Sequence, residues 1–337
     1  MLKFFFFIFF LINITTLKAQ DERYSMYFNS PMMTNPALLG TKSQASLSYH
    51  SRNERHNVNN STTPQSRFRL PNISFVMPFI KNKYDAKGDA NGENNRFGGV
   101  GIAFNNQSER GGAQKNIGAS IGLAYNFSLV KEKQLFFSVG ASAGRYQRNT
   151  KTISNISNRT NYNTFSTGFW VYQEDNKHQN EQKMFLGAAI YNLTLKDTTL
   201  FDNQNDTQGF RYHLVAGVRV YRGKKYSITP NMRVIQENNS QNFNLGSFFR
   251  YHFSDNAGSL FQYGFFGAGV WYSTQRTIIT SIEFNTPTIT TGFSYDWKIS
   301  NKSLYNASEW TISLKKRIGK KKVERKIIND EEPEVIE

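Results

Sequence analysis

The sequence predicts an all-β fold: a single closed antiparallel transmembrane β-barrel of about 14 strands, preceded by a short N-terminal plug-like segment. Three observations carry this. Segment after segment alternates apolar and polar side chains with period two. Aromatic residues make up 15% of the chain, although hydrophobic residues total only 38% and the mean hydropathy is −0.56. A disordered chain lacks such aromatics. A membrane barrel combines the two, because only alternate residues face lipid and aromatic girdles mark both interfaces. Finally, the chain has no cysteine, so no disulfide framework, thiolate metal site or cysteine nucleophile is available, and an exported chain has to be held by a closed architecture.

At the N-terminus, Lys3 supplies a short positive region and Leu2 to Ile14 an apolar core, followed by the exit Leu17-Lys18-Ala19. This is the layout of a secretory signal peptide cleaved after Ala19, and the run is short of the ~20 residues of a spanning helix. The expected organisation is a signal peptide over 1–19, a plug segment with an Asn-Pro-Ala motif over 20–42, an outer-membrane barrel over 43–318 and a charged periplasmic tail over 319–337. Within the plug segment, Asn35 suits a helix N-cap, Pro36 the first helical position and Gly40 the C-terminal turn. Residues 35–40 therefore read as one capped helical turn. Residues 27–34 read as extended or turned, with Tyr27, Phe28, Met32 and Met33 packed on the lumen wall.

Fourteen strands are expected at 43–51, 67–80, 96–106, 116–129, 134–147, 160–172, 182–195, 209–222, 225–237, 241–253, 259–273, 276–285, 288–299 and 308–318. In the fourth, Ile121, Leu123, Tyr125, Phe127 and Leu129 oppose small and polar residues. In the eighth, Phe210, Tyr212, Leu214, Val218 and Val220 oppose Arg211, His213 and Arg219; in the thirteenth, Phe293, Tyr295 and Trp297 oppose Asp296 and Lys298. Such runs, about ten to thirteen residues, approach the ~9–11 that cross a bilayer at a tilt and exceed ordinary globular strands. Charges at Arg211, His213, Arg219, Asp296 and Lys298 are costly in a dry core and acceptable facing a polar lumen. Pro71, Pro78 and Pro230 each remove a ladder hydrogen bond and are expected at strand starts or bulges, with Pro230 marking a kink that opens the wall. An even count puts both termini on one side, which makes the connections near 130–133, 222–225, 254–256 and 286–287 tight and periplasmic. It also leaves the long 81–95 connection on that side, so either the count slips by one there or that loop has a task.

The net charge is +16. Nucleic acid is not expected as a partner, because the export signal puts the chain beyond the cytoplasm; anionic headgroups of outer-membrane lipid or an acidic protein partner suit the charge better. Gly118 to Gly122 and Gly140 to Gly144 both match G-x-S-x-G, but each lies inside a period-two strand without the following helix that a nucleophile elbow needs. The five histidines, His50, His56, His178, His213 and His252, have no metal-ligand spacing. No enzyme, cofactor or metal is expected.

From Gln20 to Gly40 the chain reads QDERYSMYFNSPMMTNPALLG. This resembles the segment Q-D-x-x-[YF]-S-x-Y-x-x-N-P-x-x-x-N-P-A-x-x-G that follows the signal peptide in the PorP/SprF family of outer-membrane proteins of type IX secretion. It keeps Gln20, Asp21, Tyr24, Ser25, Tyr27, Pro31, Asn35, Pro36, Ala37 and Gly40, with Ser30 inserted between Asn29 and Pro31. FGAGVWYSTQRTIITSIEF, TGFSYDWKIS and SLYNASEWTISL resemble the family's last strands. The chain departs from the family after Leu314, where KKRI replaces an aromatic end, and in the tail beyond. The resemblance implies a non-enzymatic role in the export or surface anchoring of specific cargo such as gliding adhesins. Its implied partners are subunits of the type IX machinery, the C-terminal signal domain of the cargo, and outer-membrane lipid. The family motif makes Tyr24, Tyr27, Pro31, Asn35, Pro36, Ala37 and Gly40 the candidate plug or partner contacts. A FadL-like channel for hydrophobic compounds, or a general porin, stays open as the alternative; FadL-type channels carry an Asn-Pro-Ala box too, but behind a long Gly/Ala-rich hatch, where this chain has only Gln20 to Thr34.

Overall fold

The computed structural model describes residues 24–57, 66–80, 96–109, 112–130, 133–151, 157–175, 181–193, 210–237, 240–253, 261, 264–299 and 304–317. The expected signal peptide, Gln20, Asp21, the connections 81–95 and 254–256, and the 319–337 tail lie outside the described residues. The strands are β1 (Gln44–Asn57), β2 (Ser66–Ile80), β3 (Arg96–Glu109), β4 (Gln114–Val130), β5 (Leu135–Lys151), β6 (Ser157–Glu174), β7 (Gln182–Tyr191), β8 (Arg211–Val218), β9 (Tyr221–Arg222), β10 (Tyr226–Glu237), β11 (Ser240–His252), β12 (Phe265–Ser273), β13 (Thr277–Asn285), β14 (Ile289–Lys298) and β15 (Leu304–Arg317). All neighbours pair antiparallel, and the last strand meets the first, from Gln44 opposite Arg317 to Asn57 opposite Leu304. β8 and β9 share one wall position, both pairing with β10. The result is a closed 14-strand barrel with one extra strand. Each expected strand is present, several longer at the end away from the termini: the first runs to Asn57 and the fifth to Lys151. Ladder pairing needs only backbone groups, so it continues past the point where the side-chain alternation fades.

The prolines resolve differently from one another. Pairing of β2 with β1 runs through Pro71, opposite Ser51; pairing with β3 skips Leu70 and Pro71 and resumes in the same register at Asn72. Pro71 is thus neither a strand start nor a bulge. Pro78 stands one residue before a register shift at Phe79 and Ile80. Opposite Pro230, β8 gives way to β9: Gly217 faces Asn231, whereas Tyr221 faces Ile228, so one extra residue is accommodated. The kink does not open the wall. Arg219 N donates to Lys183 O and Val220 N to Ile228 O, and β10 pairs with β11 without interruption across Pro230. The strand count also holds at 81–95, because Ile80 pairs with Arg96 and both ends of that connection lie at the end carrying the termini.

The barrel is apolar outside. Ile121, Leu123, Tyr125, Phe127 and Leu129 are each between 45% and 57% exposed, which fixes that face as the lipid side. Its packed core lies in the lumen: the four clusters of buried apolar residues are centred on Tyr27 and Ala37, on Met32 and Leu39, on Tyr24, and on Phe248 with Phe28 against it. Each joins the N-terminal segment to the wall.

Candidate functional site

The lumen is filled by the segment from Tyr24 to Thr41, which takes three consecutive turns: a 3-10 turn at Tyr27–Asn29, an α-helical turn at Pro31–Thr34 and a second 3-10 turn at Pro36–Gly40. Two prolines account for two of these starts, since each carries a helical φ and no N–H left over at the first position. The single turn expected at 35–40 is therefore only the last of three. Asn35 caps it as expected, in extended conformation, its Oδ1 accepting from Ala37 N at 2.9 Å. Gly40 serves otherwise than expected. It does not take left-handed φ; a Cβ there would collide with the backbone of Gly98. A glycine is required by close approach, not by helix termination.

Side chains of the wall hold this segment along its length. Near its start Glu309 accepts from Ser25 N (2.6 Å) and Met26 N (3.0 Å), and Asp296 accepts from Ser25 Oγ (2.8 Å). Arg52 joins them, donating to Ser25 Oγ (2.7 Å), Asp296 (2.8 Å) and Glu54 (2.6 Å). All of these groups are buried. Further along, Tyr27 Oη and Trp271 Nε1 both donate to Asn231 Oδ1, at 2.9 and 2.7 Å, and Arg233 donates to Tyr24 O while lying 4.8 Å over the Tyr27 ring. Asn35 Nδ2 donates to Phe169 O (2.9 Å) and Ala188 O (3.0 Å), so the N-cap is also a clasp on β6 and β7. Ser138 donates to Ala37 O, Asn126 to Gly40 O and Arg96 to Thr41 O. These bonds satisfy carbonyls that a buried irregular segment leaves open. Replacing Asn35 by alanine removes the cap and both clasping bonds. It is expected to weaken seating by about 2–4 kcal/mol, read as a lower temperature at which the folded, fast-migrating band is lost on gels.

Glycines of the wall make the room. A Cβ at Gly140 would stand 2.5 Å from Ala37 N, one at Gly122 2.8 Å from Leu39 Cδ1, and one at Gly101 2.8 Å from the Met32 sulfur. Those at Gly99 and Gly168 would collide with Leu39 O and with the Asn35 side chain. Gly122 and Gly140 belong to the two G-x-S-x-G matches, and both lie within the paired strands β4 and β5, with Gly122 opposite Ser142. One glycine of each match makes room for Pro36 to Leu39, whereas a Cβ at Gly118 or Gly144 would meet the Tyr146 ring instead.

The expected lumen residues point inward with distinct surroundings. Asp296 joins the Arg52 network; His213 Nδ1 lies 3.3 Å from Thr34 O; Arg211 lies 5.0 Å over the Tyr191 ring. Arg219 pairs with Asp175 and, at 3.2 Å, with Glu181. Lys298 is half-buried, two residues beyond Asp296 on β14. His213 and His252 do not converge: His252 contacts Ser227 Oγ at 2.8 Å and Glu181 at 3.2 Å. The sequence reading missed Arg52, Glu54, Glu309, Asn231, Arg233 and Arg96. Their signal was present as polar residues in the inward phase of strands, most plainly in HSRNER of β1. Beneath the segment lies a cavity of about 140 Å³ bounded by Trp170, Phe185, Phe248 and Phe265, with Arg250 and Glu283 also on its wall.

A transmembrane-type barrel closed from within by its own N-terminal segment defines a plugged outer-membrane barrel protein. The chain belongs to the family described as type IX secretion system membrane protein PorP/SprF, whose model matches residues 16–315. Among curated protein sequences none matches it. Solved structures similar in fold include the deltaS2 mutant of the monoaromatic hydrocarbon channel TodX, with TM-score 0.52, 8% identity, and 86% of this chain and 94% of that one covered. The toluene transporter TbuX of Ralstonia pickettii gives TM-score 0.51, 9% identity and the same coverages. At such identities the likeness is one of fold.

Proposed function

We propose that this chain is a non-enzymatic component of type IX secretion in the outer membrane that assists export, or cell-surface anchoring, of specific cargo such as gliding adhesins. Its partners in this reading are subunits of the secretion machinery and the C-terminal signal domain of the cargo. The observation that carries the reading is that the segment bearing the family motif is the plug itself. Tyr24, Tyr27, Asn35, Ala37 and Gly40 are each held by a wall contact. Neither the family nor the barrel architecture is an enzymatic one. Deleting the protein and profiling surface and secreted proteins tests the reading: a defined subset of cargo is expected to be lost from the surface, and an unchanged profile sinks it.

A second reading has one observation in its favour. The aromatic-walled cavity of about 140 Å³ below the plug suits a small apolar molecule. A FadL-like channel would show uptake of such compounds lost on deletion, with export intact.

A further inference from the structure

The charges of this barrel are sorted by side. Among the described residues no Asp or Glu is exposed, whereas eleven Lys and Arg of the described residues beyond the plug are, including Arg55, Arg69, Lys115, Arg145, Lys151 and Arg159. Those six lie in β1, β2, β4, β5 and β6, at or toward the strand ends away from the termini. The ladder places several of them in one line. Arg69 on β2 faces Ser108 on β3, Ser108 faces Lys115 on β4, Lys115 faces Asn149 on β5, and Asn149 faces Arg159 on β6. With strands ~4.8 Å apart, cations recur on every second strand at about 10 Å, separated by a hydroxyl and an amide.

The row closer to the membrane belt carries Asn106, Ile117, Gln147 and Asn161, and in the next one Ile73, Phe104 and Ala119 on β2 to β4 are followed by Arg145 and Asn163 on β5 and β6. One step further the same line is Phe75, Ile102, Ile121, Ala143 and Phe165, which is apolar throughout. The cations therefore stand where apolar wall gives way to headgroups. At that end of the barrel they are concentrated on one side: the matching ends of β8, β12 and β14 present Tyr212, Tyr272 and Trp297, each exposed, and the β12 to β13 turn carries the single cation Arg276. A surface exposing cations without acids, bordered by amides and seated on an apolar belt, is complementary to a lipid whose headgroup carries both phosphate and sugar hydroxyls.

We propose that the outward face of β2 to β6 binds a phosphorylated glycolipid of the outer leaflet, with Arg69, Lys115, Arg145 and Arg159 taking the phosphates and the interleaved amides taking the sugar. The site goes beyond the secretion reading and does not depend on it; it needs only the barrel in a membrane with its termini on the inner side.

The test uses the full-length protein, purified in neutral detergent, in its wild-type form and as the quadruple variant Arg69→Gln, Lys115→Gln, Arg145→Gln, Arg159→Gln. A control variant carries Lys133→Gln, Lys224→Gln, Lys225→Gln and Lys316→Gln at the opposite end, and folding of each is checked by heat-modifiable migration. Bisphosphorylated lipid A, its dephosphorylated form and phosphatidylglycerol are then titrated and followed by native mass spectrometry. Wild type and control are expected to retain bisphosphorylated lipid A, with binding at least about tenfold weaker in the quadruple variant and weaker in wild type for the other two lipids. Equal retention by the quadruple variant and wild type overturns the site. Equal retention of the dephosphorylated lipid overturns the phosphate contacts, and equal retention of phosphatidylglycerol overturns the sugar assignment.

Discussion

Replacing Gly140 by valine is expected to unseat the plug while leaving the barrel wall intact. The substituted carbon would stand 2.5 Å from both Ala37 N and the Pro36 carbonyl carbon, so the obstacle is backbone on the far side and cannot rotate away. Overpacking by a methylene in a close-packed core costs about 1–3 kcal/mol, and a collision with backbone lies at or above the top of that range. The segment has an alternative that a core strand lacks: it can withdraw from a lumen lined by Ser, Asn and charged residues that water solvates. Two measurements follow. In planar bilayers the variant should pass a larger ionic current than wild type, and chymotrypsin should cut at Tyr24, Tyr27 or Phe28, residues protected when seated. Gly267→Ala is the matched control, since a Cβ there meets nothing nearer than the Phe265 ring at 3.5 Å, and it should behave as wild type. A Gly140→Val protein with wild-type current and wild-type protection would show that the glycine is not what admits the plug.

The barrel was legible because its wall obeys a local rule. Lipid on one side and lumen on the other impose period two on each strand, and Ile121 to Leu129 or Phe293 to Trp297 display it without reference to any other part of the chain. The plug's interior was only half legible. Asn35 before Pro36 announces a cap through chemistry within three residues, and the structure has that cap. Gly40 carries no such signal: its requirement comes from Gly98, 58 positions along the chain, and a contact of that kind is invisible to spacing. The same holds for Arg211 and His213. Their inward phase follows from alternation, but alternation allows either water or protein on that side, and only the folded lumen shows Thr34 O beside His213. Pro230 invited a reading of an open wall because a missing N–H breaks one ladder bond. The neighbouring β8 to β9 irregularity absorbs the mismatch with one extra residue, a compensation that depends on the partner strand.

Arg52 is where a single substitution should cost most. It donates to Glu54 at 2.6 Å and Asp296 at 2.8 Å, lies 3.5 Å from Glu309, and binds Ser25 Oγ, with all three acids buried. One guanidinium thus lies against three carboxylates, and its planar fork reaches several of them at once, which an ammonium does not. Arg52→Met removes the cation from beside three buried acids, while Ser25 Oγ stays on Asp296 and the N–H groups of Ser25 and Met26 stay on Glu309. Breaking a buried pair by deleting one member costs about 3–5 kcal/mol, chiefly the penalty of the charge left behind. The expected outcome is a clear fall in the temperature at which the folded band is lost, together with chymotrypsin cleavage at Tyr24 and Tyr27. If stranded charge is the cause, removing it should restore order: Arg52→Met combined with Asp296→Asn and Glu309→Gln is expected to recover a large part of the lost stability, and Arg52→Lys to fall between wild type and Arg52→Met. A triple variant no better than Arg52→Met alone would mean that the latch works through the hydrogen bonds from Arg52 to the plug and the wall, and not through charge compensation.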